Sequence, residues 1–144
     1  MKSAGDFPGV EVVYVDTSAA FKLVRSEKES RPFAEFTLGR KLTSSKLTRL
    51  EVLRSAMRED SPAGTGPANA HVAKALRVLQ KVYFKSVDDK VLDVASRIPH
   101  PSLKSLDAMH IATAVLSEAD LFVTYDKRQA EAAESVGLKV VSPS

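Results

Sequence analysis

Cysteine is absent from the 144-residue chain. That excludes disulfides, thiolate-bound zinc, iron–sulfur clusters and cysteine nucleophiles. It also fits a reducing compartment, so a cytoplasmic protein is expected. Histidine is scarce: His71, His100 and His110 stand apart, with no H-x-x-x-H pair to hold zinc. Any metal would therefore be a hard cation on oxygen ligands, Mg²⁺ or Mn²⁺. No apolar run approaches the ~18 residues of a membrane span. Residues 1–10 lack the apolar core of a signal peptide. The expectation is no membrane contact. A G-x-x-x-x-G-K-[ST] phosphate loop is missing, as are a G-x-S-x-G elbow and a D-x-D pair. Gly64-Thr65-Gly66 runs into Pro67, so it is no dinucleotide fingerprint.

What is present is ordinary for a folded domain: 44% hydrophobic and 27% charged residues, net charge +3. The length suits one domain of the common ~100–150 residues. Gly5, Pro8 and Gly9 make residues 1–10 a flexible leader, with a single domain over 11–144. Basic side chains outnumber acidic ones over residues 1–100, and the balance turns acidic over 101–144. The excess is spread out, which permits a polyanion partner without a basic tail.

Apolar runs and helical periods alternate. Val12-Val13-Tyr14-Val15 reads as a strand buried on both faces. Thr17 or Ser18 can cap a short helix through Val24. A helix over Glu27–Leu38 ends at Gly39, and Lys41–Thr43 is a short strand. In the helix over Leu47–Arg58, Leu47, Leu50, Leu53 and Met57 recur at helical spacing. Ser61–Pro67 reads as a loop, followed by a helix over Ala68–Gln80 and a strand Val82–Phe84. A helix over Asp88–Ile98 stops at Pro99 and Pro101. Ser105 can cap an apolar helix Leu106–Leu116. Leu121–Val123 is a strand, Lys127–Val136 a helix ended by Gly137, and Leu138–Val141 the last strand. This alternation predicts a three-layer α/β/α domain with a mostly parallel central sheet.

Open parallel sheets build sites at the carboxyl ends of their strands. Asp16 follows the first strand, and Thr124-Tyr125-Asp126 follows Leu121–Val123. Either acid could equally be a helix cap. Glu51 shares a helix face with Leu47 and Leu50, yet Thr48-x-x-Glu51 also matches a capping box. Asp107 is the acid in the first turn of the apolar helix, where the helix dipole favours it. His110 lies one turn on, within reach of Asp107.

Four segments together resemble a known family. They are Tyr14-Val15-Asp16-Thr17-Ser18-Ala19, Thr48-Arg49-Leu50-Glu51-Val52, Ser105-Leu106-Asp107-Ala108-Met109-His110-Ile111-Ala112-Thr113-Ala114 and Phe122-Val123-Thr124-Tyr125-Asp126. In this order they are similar to the motifs of PIN-domain ribonucleases, and more closely to VapC toxins of bacterial toxin–antitoxin pairs. The resemblance implies that Asp16, Glu51, Asp107 and Asp126 meet in one acidic pocket. It implies divalent-metal-dependent RNA cleavage, a homodimer and inhibition by a VapB-type antitoxin. On that reading Asp16 and Asp107 are direct metal ligands, and Asp126 is an outer ligand or holds a second metal. Glu51 handles the attacking water, while Thr17, Ser18 and Thr124 steady the carboxylates. Phe21, Val24, Phe33, Phe36 and Leu38 are expected to line a groove for an antitoxin helix. A non-catalytic RNA-binding PIN-like domain is the alternative. A receiver-type domain is disfavoured, because Asp16 has no adjacent acid and Val82–Phe84 is followed by Lys85-Ser86.

Overall fold

The computed structural model describes residues 9–61 and 69–144. Most of the leader expected at 1–10 and of the loop expected at Ser61–Pro67 lies outside the described residues. β1 (Val12–Val15) leads into α1 (Thr17–Phe21) and α2 (Ser30–Thr37). β2 (Lys41–Ser45) precedes α3 (Lys46–Glu59) and α4 (Ala70–Leu79). β3 (Val82–Lys85) precedes α5 (Asp89–Ser96) and α6 (Ser105–Leu116). β4 (Leu121–Val123) precedes α7 (Lys127–Ser135), and β5 (Val140–Val141) closes the described sheet.

The strands lie in the order β3-β2-β1-β4-β5, and every pairing is parallel. β1 is central because all four of its side chains are apolar or aromatic and buried. Successive strand side chains point to opposite faces. Val13 and Val15 therefore pack with Val24, Phe33, Val52, Leu121 and Val123. Tyr14 turns the other way, to Ile111, Ala114, Phe122 and Ala132. Its ring stacks on Phe122 with centroids 5.4 Å apart. Helices cover both faces, which is the three-layer architecture expected. Among the described residues no helix is long and apolar enough to cross a membrane.

The chain steps from β1 outward to β2 and β3, then returns to lay β4 against the other side of β1. The strand order reverses there. The crevice beyond the carboxyl ends of β1 and β4 is the switch point at which such sheets bind ligands.

Several local expectations change. Asp16, not Thr17 or Ser18, caps α1, because its carboxylate accepts from the Ala19 N–H. Ser45 caps α3 by accepting from Leu47 N. Thr48 thus lies inside the first turn, with its hydroxyl 2.7 Å from that of Ser44, so the capping box with Glu51 does not form. Lys104, not Ser105, is the N-cap of α6. The buried side of α3 is Thr48, Val52 and Ala56, while Leu50 and Met57 are exposed. The five-residue groove also dissolves. Val24 and Phe33 are core, Phe21 and Phe36 pack partly against it, and Leu38 alone is exposed.

Candidate active site at the carboxyl edge of the sheet

Asp16 is the residue at which β1 becomes α1. Its Oδ1 accepts from the Ala19 N–H at 2.8 Å and from the Ser18 hydroxyl at 3.0 Å. Its Oδ2 accepts from the Thr124 hydroxyl at 2.7 Å. The side chain is both a helix cap and a carboxylate clamped to the neighbouring strand end, and the residue is 5% exposed. Thr124 also accepts from the Asp126 N–H at 3.1 Å, so one hydroxyl ties the ends of β1 and β4 together. Asp126 caps α7, its Oδ1 accepting from Gln129 N at 2.9 Å, and remains exposed.

Glu51 reaches the same crevice from α3. Its Oε1 accepts from the Thr17 hydroxyl at 2.6 Å and lies 3.6 Å from His110 Nε2. Asp107 enters from the first turn of α6. Asp16, Glu51, Asp107 and Asp126 all line one cavity of about 520 Å³, together with Thr17, Ser18 and His110. They share a cavity rather than a closed coordination sphere. Among the described residues no three His, Asp or Glu side chains stand close enough together to form a ready metal cage.

The electrostatics follow from that placement. Burial pushes the Asp107 carboxyl above its ordinary range; His110 opposes the shift, and Asp126, Asp16 and Glu51 add to it. Glu51 moves the other way. His110 is the largest influence holding it down, burial opposes, and the Thr17 hydroxyl helps.

His110 does not bond Asp107, as its spacing suggested. It is buried, with Nδ1 2.6 Å from the Tyr14 hydroxyl and Nε2 3.3 Å from Thr17 Oγ1. Thr17 has one proton, and it goes to Glu51. The Thr17 oxygen can then only accept from His110, which puts a proton on Nε2; in the neutral imidazole Nδ1 is left to accept from Tyr14. Burial raises the Tyr14 pKa, so the phenol stays a neutral donor. Tyr14, His110, Thr17 and Glu51 form a chain running from the core to the cavity.

His110 and Gln129 are the site neighbours that sequence reasoning placed poorly or missed. For Gln129 a signal existed, since Asp126-x-x-Gln129 is a capping pattern. Its side chain instead donates to the Asp107 carbonyl oxygen at 3.2 Å, joining α7 to α6.

A parallel sheet with four acids lining one cavity at its switch point defines an α/β domain with an acidic site at the carboxyl ends of its strands. The pattern of the PIN domain family matches residues 13–135. Ribonuclease VapC35 of Mycobacterium tuberculosis is 36% identical over 139 residues, covering 92% of this chain and 97% of that protein. Ribonuclease VapC46 of the same organism is 34% identical over 135 residues, covering 92% and 98%. In structure, the chain superposes on VapBC2 from Rickettsia felis, bound to a DNA fragment from their promoter, with a TM-score of 0.69. The identity there is 9%, with 92% of this chain and 99% of that one covered. The chain belongs to the PIN-domain family and, within it, to the VapC ribonucleases.

Proposed function

We propose that this protein is a toxin ribonuclease that hydrolyses RNA phosphodiester bonds with Mg²⁺ or Mn²⁺ and is neutralised by a VapB-type antitoxin. The observation that carries the reading is the meeting of Asp16, Glu51, Asp107 and Asp126 in one cavity at the sheet's switch point, in a chain 36% identical to Ribonuclease VapC35. Residues 11–144 form its single domain. Its place of action is the cytoplasm, where RNA and a cognate antitoxin meet.

The donor set fits a divalent cation. It is all oxygen, and the repulsion from Asp126, Asp16 and Glu51, which adds to the burial that raises Asp107, is what a cation would relieve. Asp16 and Asp107 would hold the ion directly, and Asp126 would hold it from outside or bind a second. When bound, the ion supplies positive charge against the phosphate anion. The chain's own residues do the rest. Ser18 and Thr124 keep the Asp16 carboxylate turned into the cavity. Glu51, kept ionised by His110 and Thr17, orients the attacking water and takes its proton. The water oxygen bonds to phosphorus as the bond to the 3′-oxygen breaks, leaving a 5′-phosphate and a 3′-hydroxyl that gains its proton from solvent.

The direct test is purified protein on single-stranded RNA with Mg²⁺ or with EDTA. Cleavage only with metal is expected. RNA bound but left intact under every divalent metal would favour the non-catalytic reading.

Metal should also stabilise the fold. At free Mn²⁺ 100 times its dissociation constant, mass action gives ~2.7 kcal/mol, read as a rise in melting temperature. Superimposed melts with and without saturating Mn²⁺ would contradict a shared pocket. The increment should shrink with acidity. Asp107 must lose its proton to bind metal, and its raised pKa starts that competition at a higher pH than an ordinary carboxylate would. In EDTA the sign reverses. A carboxyl whose folded pKa is raised binds its proton more tightly when folded, so acidification into its window adds stability. Glu51, with a lowered folded pKa, contributes stability that is lost only as pH falls through that lower value. Melting curves against pH with and without Mn²⁺ should converge from the acid side. An increment that stays constant through the carboxylate range would refute the role of Asp107.

For the antitoxin, the exposed apolar residues Leu50 and Met57, two turns apart on one face of α3, offer a surface that Val24 and Phe33 do not. An amphipathic antitoxin helix would lie along α3 and cover them. Co-expression with the product of the adjacent small gene should give a complex without RNase activity. The homodimer belongs to the same reading and is checked by sedimentation of the isolated toxin.

A further inference from the structure

Asp126 borders two clefts besides the acidic cavity. One, of about 340 Å³, carries Lys22 and Arg25. The other, of about 820 Å³, carries Lys104, Lys127 and Arg128 along the N-terminal ends of α6 and α7. The two sets of cations differ in state. Lys22 is paired with Glu29 at 3.2 Å, and Arg25 with Glu59 at 2.6 Å. Lys104, Lys127 and Arg128 take part in no ion pair among the described residues.

Their positions run against helix stability. Lys127 and Arg128 are the first two residues of α7, whose first turn holds no acid. Lys104 is the N-cap of α6 and makes no side-chain cap bond. Helix N-termini favour acids and small acceptors and disfavour cations, because the dipole's positive end is there. Three cations at two such ends line one cleft, where Asp107 and Asp126 face them from the side of the acidic cavity. Lys104 lines both this cleft and the acidic cavity, so the two spaces are continuous. Lys104, Asp107 and Asp126 all lie at the shared boundary, which leaves Lys127 and Arg128 against Glu131 in the cleft proper. A polyanion laid over four carboxylates is repelled unless cations hold its flanks.

We propose that the cleft bounded by Lys104, Lys127 and Arg128 holds backbone phosphates of the RNA strand next to the bond to be cut. The inference rests on the ribonuclease reading and gives the strand a side, along α6 and α7 rather than past Lys22 and Arg25. The cations bind phosphate and not base edges, so they contribute affinity without sequence choice.

The test uses Asp16→Asn protein in EDTA, where RNA is bound and not cut. Anisotropy of a labelled single-stranded RNA is followed from 25 to 200 mM KCl, the slope of log K against log salt being about −0.7 per phosphate neutralised. Lys104→Gln/Lys127→Gln/Arg128→Gln should flatten that slope by ~2. Lys74→Gln/Lys81→Gln, on and just after α4, removes two distant exposed cations and should leave it nearly unchanged. In the otherwise wild-type enzyme with Mg²⁺, the triple variant should raise KM at least tenfold and keep kcat within twofold. An unchanged slope, no RNA binding by the Asp16→Asn protein, or equal flattening by the α4 variant overturns the proposal. So does intact RNA handling with loss of antitoxin binding, which would make the cleft a protein contact. Absence of any cleavage by wild type under divalent metal counts against the ribonuclease reading instead, and the binding arm is read independently of it.

Discussion

Asp16→Asn is expected to lower RNA cleavage by about 10²–10³-fold, the scale of removing one preorganised charged group from a reacting centre, while the protein melts close to wild type. The structure separates the two jobs of this side chain. As a cap it needs only an oxygen for the Ala19 N–H, now at 2.8 Å, and Asn caps as well as Asp. The amide nitrogen replaces Oδ2 and can donate to Thr124 Oγ1, whose own proton then turns away. What disappears is the negative charge, and with it the contribution to cation binding that the proposed function assigns to Asp16. Asp16→Ala removes both jobs and should also cost ~0.5–2 kcal/mol through the lost cap. Single-turnover cleavage and thermal melts of both variants check this. An Asn variant that cuts at the wild-type rate would reduce Asp16 to a helix cap.

That double duty explains what could and could not be read from the chain. The two strands flanking the site are unbroken apolar runs, Val12–Val15 and Leu121–Val123, and burial on both faces leaves such runs little alternative to central strands. An acid directly after the first run, and one three residues after the second, then fall at the sheet's carboxyl edge whatever the helices do. Asp107 was legible as the acid of an otherwise apolar helix. Helix faces were not so plain. On α3 the buried stripe is Thr48, Val52 and Ala56, where small or polar groups fit close to the sheet and the Thr48 hydroxyl meets Ser44. The larger Leu50 and Met57 face outward, so a count of apolar positions selected the wrong side. His110 was legible only locally. Its partners Tyr14 and Thr17 lie 96 and 93 residues away, and tertiary packing alone brings them together. Lys104, Lys127 and Arg128 likewise acquire meaning only when the N-termini of α6 and α7 converge on one cleft.

Glu51→Gln should slow cleavage by about 10²–10⁴-fold, the usual range for losing a general base, and leave the Mn²⁺-induced rise in melting temperature in place. Glu51 is not held by a capping box, because Ser45 caps α3 and Thr48 is engaged inside. Its Oε1 is fixed instead by Thr17 at 2.6 Å, with His110 Nε2 at 3.6 Å. Gln keeps an oxygen for Thr17 and changes the shape little, so the fold has no reason to loosen. The amide cannot take a proton from water, so the rate should fall with a small change in KM and lose the acidic limb that Glu51 contributes, leaving that of Asp107. Thr17→Val keeps the carboxylate but removes the hydroxyl that aims it. The rate should then fall less, and the apparent pKa of the acidic limb should rise, because one of the groups holding Glu51 ionised is gone. A Glu51→Gln enzyme that cuts normally but melts several degrees early would make Glu51 a structural acid. A variant that loses the Mn²⁺ shift along with activity would move it into the set that holds the metal.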